Sequence, residues 1–217
     1  MFLYPDKAKY ERVLPKNKVY EKAKPPASVR ERFVAEVNRI VWQYKLSPET
    51  VNLPSRAGVL EIQIFSVELK TRQLGLDVLR CIDQAIAHPI FFELEFENKV
   101  RVLSAYKRPH ESIAGRWVVG DYFETPWEPH DVSRPVLPVA LDMAGLYEEM
   151  LRSIMPLPPI KGETLKAQVE RLAQIRVKQG EVKKLEMKLR REKQFNRKVE
   201  IHTRLRELNK ELETWKN

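Results

Sequence analysis

Cysteine is nearly missing from this sequence. The single thiol, Cys81, excludes an internal disulfide framework and suits a reducing compartment. No run approaches the ~18 uninterrupted apolar residues of a membrane-spanning helix. The opening MFLYPDKAKYERVLPK places charges and prolines where a secretory leader needs an apolar stretch. A cytoplasmic protein with no membrane partner is expected. The sequence holds no G-x-x-x-x-G-K-[ST], no G-x-G-x-x-G and no G-x-S-x-G, which removes the usual phosphate-loop, dinucleotide and hydrolase signatures. Its four histidines, His88, His110, His130 and His202, are scattered without ligand spacing. Neither a cofactor nor a metal site is expected.

A further absence divides the chain. From Glu163 to Asn217 there is no proline and one glycine, Gly180. What is present there is charge: this stretch holds 16 Lys and Arg against 9 Asp and Glu, a balance of +7 within a total of +9. The first 162 residues, with 23 against 21, are nearly neutral. Clustered cations release counterions when they meet phosphate, so a basic arm points to nucleic acid or to an acidic protein surface. A chain of 217 residues fits one ordinary domain plus such an appendage.

Read in order, residues 1–27 alternate lysines and arginines with Tyr4, Tyr10 and Tyr20 and predict an extended segment lying across the body. From Ser28, the spacing of Val29, Phe33, Val34, Val37, Ile40, Val41 and Tyr44 predicts an amphipathic helix. Val59 to Lys70 is a strand, apolar on both faces at its centre and so interior to a sheet. A short helix carries Leu76, Leu79, Ile82 and Ile86, and a hairpin follows from Ile90–Phe96 and Val100–Tyr106, with its turn at Asn98-Lys99. After a polar loop with Pro109 and Gly115 comes a strand over Trp117–Phe123. Thr125 to Pro138 holds four prolines and predicts an irregular connection. A helix over 139–154 is expected to bury Leu141, Ala144, Tyr147, Leu151 and Ile154.

The prediction is an α/β (α+β) fold with a mixed or mainly antiparallel sheet flanked by helices, then a long C-terminal helical arm. The body spans 28–155, a proline-rich linker 156–162, and the arm 163–217. In the arm, Leu165, Val169 and Leu172, then Val182, Leu185 and Leu189, then Leu205, Leu208, Leu212 and Trp215 recur at helical spacing. Phe195 and Val199 carry the register across the polar stretch between the last two groups. The pattern fits one coiled-coil helix with a stutter or two helices folded back near Gly180. Such a stripe, left uncovered, calls for self-association or docking.

Three sets of residues carry candidate chemistry. Glu68 and Lys70 form an E-x-K triplet at a strand end, as in restriction-type nucleases that hold a metal with the Glu and set the Lys at the scissile phosphate. Against it, E-x-K is common, and the nearest acid upstream, Glu61, falls on the other face. Tyr106, Lys107 and Arg108, with Arg116 and Trp117, form an aromatic and basic group at adjacent strand ends. Lys188, Arg190, Arg191, Lys193, Arg197 and Lys198 surround Gln194, Phe195 and Asn196 as the densest basic field in the chain. Cys81 and His88 lie two helical turns apart, too far for a thiol and its base.

Several stretches, VWQYKLSPETVNL, EIQIFSVELK with CIDQAIAHPIFFEL, AYKRP, WVVGDYFETPW, LPVALDMAGLYEEML and above all KLEMKLRREKQFNRKVEIHTRLRELNKEL, resemble an uncharacterised prokaryotic family catalogued as a domain of unknown function. The resemblance covers nearly the whole chain. It implies an accessory role beside helicases and DNA methyltransferases of type III restriction or phage-defence systems, with no catalytic residues to carry over. The expected function is therefore a non-enzymatic adaptor that docks such an enzyme and touches nucleic acid through its arm. A nuclease using Glu68 and Lys70 and a homodimer joined through the arm are the alternatives.

Overall fold

The computed structural model describes residues 2–110, 112–113 and 116–216; Gly115, expected in a loop, lies outside them. The chain forms two compact units, Met1–Pro156 and Leu157–Asn217.

The first unit is built on a seven-stranded, mostly antiparallel open sheet. Its strands are β1 (Lys9–Val13), β2 (Val37–Leu46), β3 (Ile62–Leu69), β4 (Ile90–Phe96), β5 (Lys99–Pro109), β6 (Trp117–Glu124) and the two-residue β7 (Glu128–Pro129). The spatial order follows the chain from β1 to β6, and β7 pairs with β5. Only β3 and β4 run parallel, because they are joined through a helix, α4 (Leu76–Ala85), whereas the remaining pairs are antiparallel.

Interior β3 reads Ile62, Gln63, Ile64, Phe65 and Val67, all buried, as a strand covered on both faces requires. On one face Phe65, Val67, Phe92 and Leu103 pack with Val29 and Phe33 of α2 (Ala27–Glu36) and with Val78, Leu79 and Ile82 of α4. On the other face Ile64, Phe91 and Val102 are buried, and Phe91 meets Tyr147 of α5 (Met143–Arg152) edge-on with ring centroids 6.2 Å apart.

Two expectations fail in the first fifty residues. The segment 1–27 is not wholly extended: a 3-10 turn, Asp6–Ala8, precedes β1, and Lys16–Ala23 forms a helix, α1. The amphipathic period from Val29 to Tyr44 is likewise not one helix. It stops at Glu36 and continues as β2, whose register shifts between Val37 and Arg39 and again between Trp42 and Tyr44. Each bulge adds a residue, so the buried Val37 and Ile40 fall three apart and imitate helical spacing. The end of α2 is secured by lysines. Lys16 Nζ donates to Phe33 O at 2.9 Å and Val37 O at 2.6 Å, and Lys70 Nζ donates to Val34 O at 2.8 Å, placing cations where the helix dipole is negative.

Later elements follow the prediction more closely. The β4–β5 hairpin forms, but its turn is Glu97-Asn98 and not Asn98-Lys99, with Glu97 at φ 53°. A four-residue helix, α3 (Pro48–Val51), occupies the predicted loop. Helix α5 starts at Met143 because Asp142 caps it, accepting a hydrogen bond from Gly145 N at 2.8 Å. Leu141, expected in the core, therefore precedes the helix and is 87% exposed.

The second unit contains two helices, α6 (Leu165–Arg191) and α7 (Phe195–Lys216), which pack on each other as a hairpin. The reversal falls at 192–194 and not at Gly180, which sits inside α6. Leu165, Leu172 and Ile175 of α6 and Ile201, Leu205, Leu208 and Leu212 of α7 are buried. The two ends of the stripe that demanded a partner are thus covered by each other, while Val182, Leu185 and Leu189 nearer the turn are half-buried. Phe195 and Val199, expected to carry the seam, are exposed.

Candidate nucleic-acid interface

The hairpin tip gathers the basic field. Helix α6 ends in Lys188, Arg190 and Arg191, and Glu192 leaves the helix with extended backbone, φ −72° and ψ 133°. Its carboxylate accepts from Lys193 N at 2.9 Å and Gln194 N at 3.0 Å, which orders the turn into α7. Those backbone donors, with the fields of Arg197 and Lys188, hold the Glu192 carboxyl below the ordinary glutamate range. Lys188, Arg190, Arg191, Lys193, Gln194, Asn196 and Arg197 are exposed, and Lys198 is half-buried. Among the described residues none of the six cations has an ion-pair partner, and Phe195 stands between them, 77% exposed.

The other end of the hairpin is tied instead of charged. Arg171 pairs with Glu163 at 2.7 Å and donates to Trp215 O at 3.0 Å and Pro158 O at 2.9 Å. Lys178 pairs with Glu211 and lies over the Trp215 ring, 5.3 Å from its centroid.

The predicted group at residues 106–117 is divided. Lys107, read as a surface cation, is 2% exposed. The strand register shifts between Ala105 and Lys107, and this irregularity accompanies a side chain that runs inward under α4. There Lys107 Nζ donates to Asp83 O at 2.7 Å, Ile86 O at 2.5 Å and Asp83 Oδ1 at 3.3 Å. Tyr122 OH donates to the other Asp83 oxygen. Tyr147 OH accepts from Lys107 N at 2.7 Å and donates to Ala105 O at 3.0 Å. Burial pushes the Asp83 carboxyl and the Tyr122 phenol up and the Lys107 ammonium down. Lys107 is therefore a structural cation closing the end of α4, inaccessible to a partner. Tyr106 is half-buried and Arg108 is half-buried on the same strand.

Arg116 and Trp117 instead line a cleft of about 780 Å³ with Lys22 of α1, Arg80 of α4 and His110. Arg80 is held at the wall: its guanidinium donates to Val119 O at 3.4 Å and Gly120 O at 3.3 Å and lies 5.7 Å from the Tyr122 ring centroid. Gly120 itself lies close against β5, where a Cβ would stand 2.9 Å from Tyr106 O. Arg80 is the one cation of α4 and Lys22 one of three lysines of α1, and nothing in either helix points to Arg116; only the fold brings them to it.

Glu68 and Lys70 do not form the expected constellation. Strand β3 ends at Leu69, and Lys70 turns to the α2 carbonyl of Val34. Glu68 lies in a separate cleft of about 370 Å³ with Arg39, Ser66, Glu93, Glu95 and Arg134. Parallel pairing sets Glu95 beside Glu68 and Glu93 beside Ser66, a juxtaposition invisible in a one-strand reading. Ser66 Oγ donates to Glu95 at 2.8 Å, and Arg134 approaches Glu93 at 3.8 Å. Burial pushes the Glu93 carboxyl up. Glu61, the acid weighed as a partner, is engaged by Lys45 at 2.9 Å and faces His88 at 3.4 Å. Among the described residues no group of three or more His, Cys, Asp or Glu is placed to hold a metal. Cys81 is buried, and burial raises its thiol; His88 lies beyond the end of α4 at Glu61.

Among the described residues no helix is long and apolar enough to cross a membrane. No curated protein and no solved structure matches the chain. A family model described as "Domain of unknown function (DUF4391)" matches residues 2–212. With nearly its full length inside that match, the chain belongs to this family of unknown function.

Proposed function

We propose that the protein is a non-enzymatic nucleic-acid-binding accessory factor, whose hairpin tip engages the phosphate backbone while its body docks a larger enzyme. The observation that carries this reading is the tip itself. Six cations that have no ion-pair partner among the described residues surround an exposed phenylalanine, at the end of a hairpin whose two helices pack on each other. Phosphate neutralisation by Lys and Arg supplies sequence-independent affinity, and an aromatic ring beside the cations adds a stacking surface. The body's enzyme partner, on the resemblance to a family encoded near such enzymes, is a helicase or DNA methyltransferase.

The test is fluorescence anisotropy of a labelled DNA duplex across a salt series. The wild type should bind with a steep salt dependence. Arg191→Glu/Lys193→Glu/Arg197→Glu should weaken binding by at least about ten-fold and lower the log–log slope by about 3, with unchanged helicity. Equal affinity and slope in the two proteins would refute the tip as the contact.

A further inference from the structure

We infer that the cleft between α1, α4 and the β5–β6 end of the sheet is a second binding site, for a nucleotide unit: a phosphate with a flat base attached. It stands on the body and rests on observations independent of the tip. The first is charge. Lys22, Arg80 and Arg116 all line the cleft and are all exposed. The one carboxylate among the described residues that line it, Asp83, is 1% exposed and is occupied by Lys107 and Tyr122. Among the described residues the cleft therefore presents cations from α1, α4 and the residue before β6 with no solvent-facing acid on its walls, and a concave wall of one sign concentrates the field on an anion.

The second observation is where the charges are fixed. Arg80 is anchored by two strand carbonyls and a tyrosine ring, so its guanidinium is pre-positioned and loses little freedom on binding. Lys22 and Arg116 have no ion-pair partner among the described residues, and they line the same cleft from α1 and from the position just before β6. Guanidinium groups match phosphate oxygens in two-point hydrogen bonds. The third is the aromatic. Trp117 is half-buried and lines the same cleft, which offers an indole face to a base next to the phosphate. A volume of about 780 Å³ is in the range that accepts a small organic ligand. The same chemistry is presented by a free nucleotide and by one unit of a single strand.

Calorimetric titration of the full chain with thymidine monophosphate, with an eight-residue oligothymidylate and with inorganic phosphate tests the site. The nucleotide probes should bind, and Lys22→Glu/Arg116→Glu should weaken both by at least about ten-fold, one lost charge-assisted contact being worth roughly that factor. Arg116→Gln, a milder change at an exposed position, should weaken them less. Trp117→Leu should weaken the nucleotides and leave inorganic phosphate unaffected. The tip variant Arg191→Glu/Lys193→Glu/Arg197→Glu should leave monophosphate binding intact, which separates this site from the proposed tip. An oligomer much tighter than the monophosphate assigns the site to a strand; equal affinity assigns it to a free nucleotide. Absence of binding by both nucleotide probes, unchanged affinity in Lys22→Glu/Arg116→Glu, or inorganic phosphate binding as tightly as the monophosphate would each overturn the inference.

Discussion

The body and the arm use charge in opposite ways. In the body, Asp83, Lys107 and Tyr122 are buried beneath helices and strands, where they satisfy one another and serve the fold. In the arm, carbon is inside and charge is outside: the buried residues of α7 are Ile201, Leu205, Leu208 and Leu212, while the cations at 188–198 meet solvent. The first 162 residues carry a formal balance of 23 cations to 21 anions and residues 163–217 one of 16 to 9. A cation's position in sequence therefore says little about its availability. Lys107 and Arg108 are neighbours, yet one closes the end of a helix and the other remains partly open to water.

The largest expected effect probes the buried side of this contrast. Lys107→Met would strand the Asp83 carboxyl and leave the Asp83 and Ile86 carbonyls without their donor. Breaking one partner of a buried pair costs about 3–5 kcal/mol, to be read as a lower urea midpoint, whereas Arg191→Glu at the tip should leave that midpoint unchanged. Next, Leu208→Ala, at a position 1% exposed, should cost about 2–5 kcal/mol through the cavity it leaves. Hydrogen exchange should accelerate across α6 and α7, with β2 to β5 still protected; uniform acceleration would mean that the two units do not fold separately.

A smaller effect of opposite sign is expected at Gly180. An added Cβ would meet no atom within 4 Å, so Gly180→Ala should stabilise α6 by about 0.5–1 kcal/mol, seen as a higher melting temperature of the arm. A destabilised variant would restore the turn to Gly180. The smallest effect is a pH dependence in the body. The Gly145 amide, followed by Arg56, holds the Asp142 carboxyl below its ordinary value. A depressed carboxylate contributes stability that is complete above the ordinary Asp value of about 3.9 and is lost as pH falls through the lower folded value. The difference in urea midpoint between wild type and Asp142→Asn should accordingly be present at neutral pH and shrink on acidification; a pH-independent difference would remove the cap from the account.

Much of the fold was legible because the relevant signals are local. The apolar run of β3, the hairpin of β4 and β5, the proline-rich connection and the proline-free arm each fixed an element type. The failures share a cause. Bulges in β2 erased its alternation and produced a false helical period from Val37 to Tyr44, and the cap at Asp142 excluded Leu141 from a helix its hydrophobicity suggested. In the arm, spacing alone could not say which leucines face which, so Phe195 was placed in the seam although it occupies the tip. The sites were less legible than the elements. The proposed tip cations are contiguous, so their clustering is visible in the sequence; the Lys22, Arg80 and Arg116 cleft joins residues from α1, α4 and the position before β6, and no sequence interval announces it. Lys107 misled because inward direction at a register shift is a property of the pairing and not of the residue.

The tip assignment rests on the hairpin being closed, and one distance decides that. Lys178 and Glu211 are paired across the two helices and are 33 residues apart in the chain. Packed helices place such backbones about 10 Å apart, whereas one continuous helix would separate them by about 50 Å. Pulsed dipolar spectroscopy on spin labels at Lys178→Cys and Glu211→Cys in the full chain reads this directly. A single short distance is the predicted result, and a distribution centred near 50 Å would contradict the closed hairpin and the tip built on it.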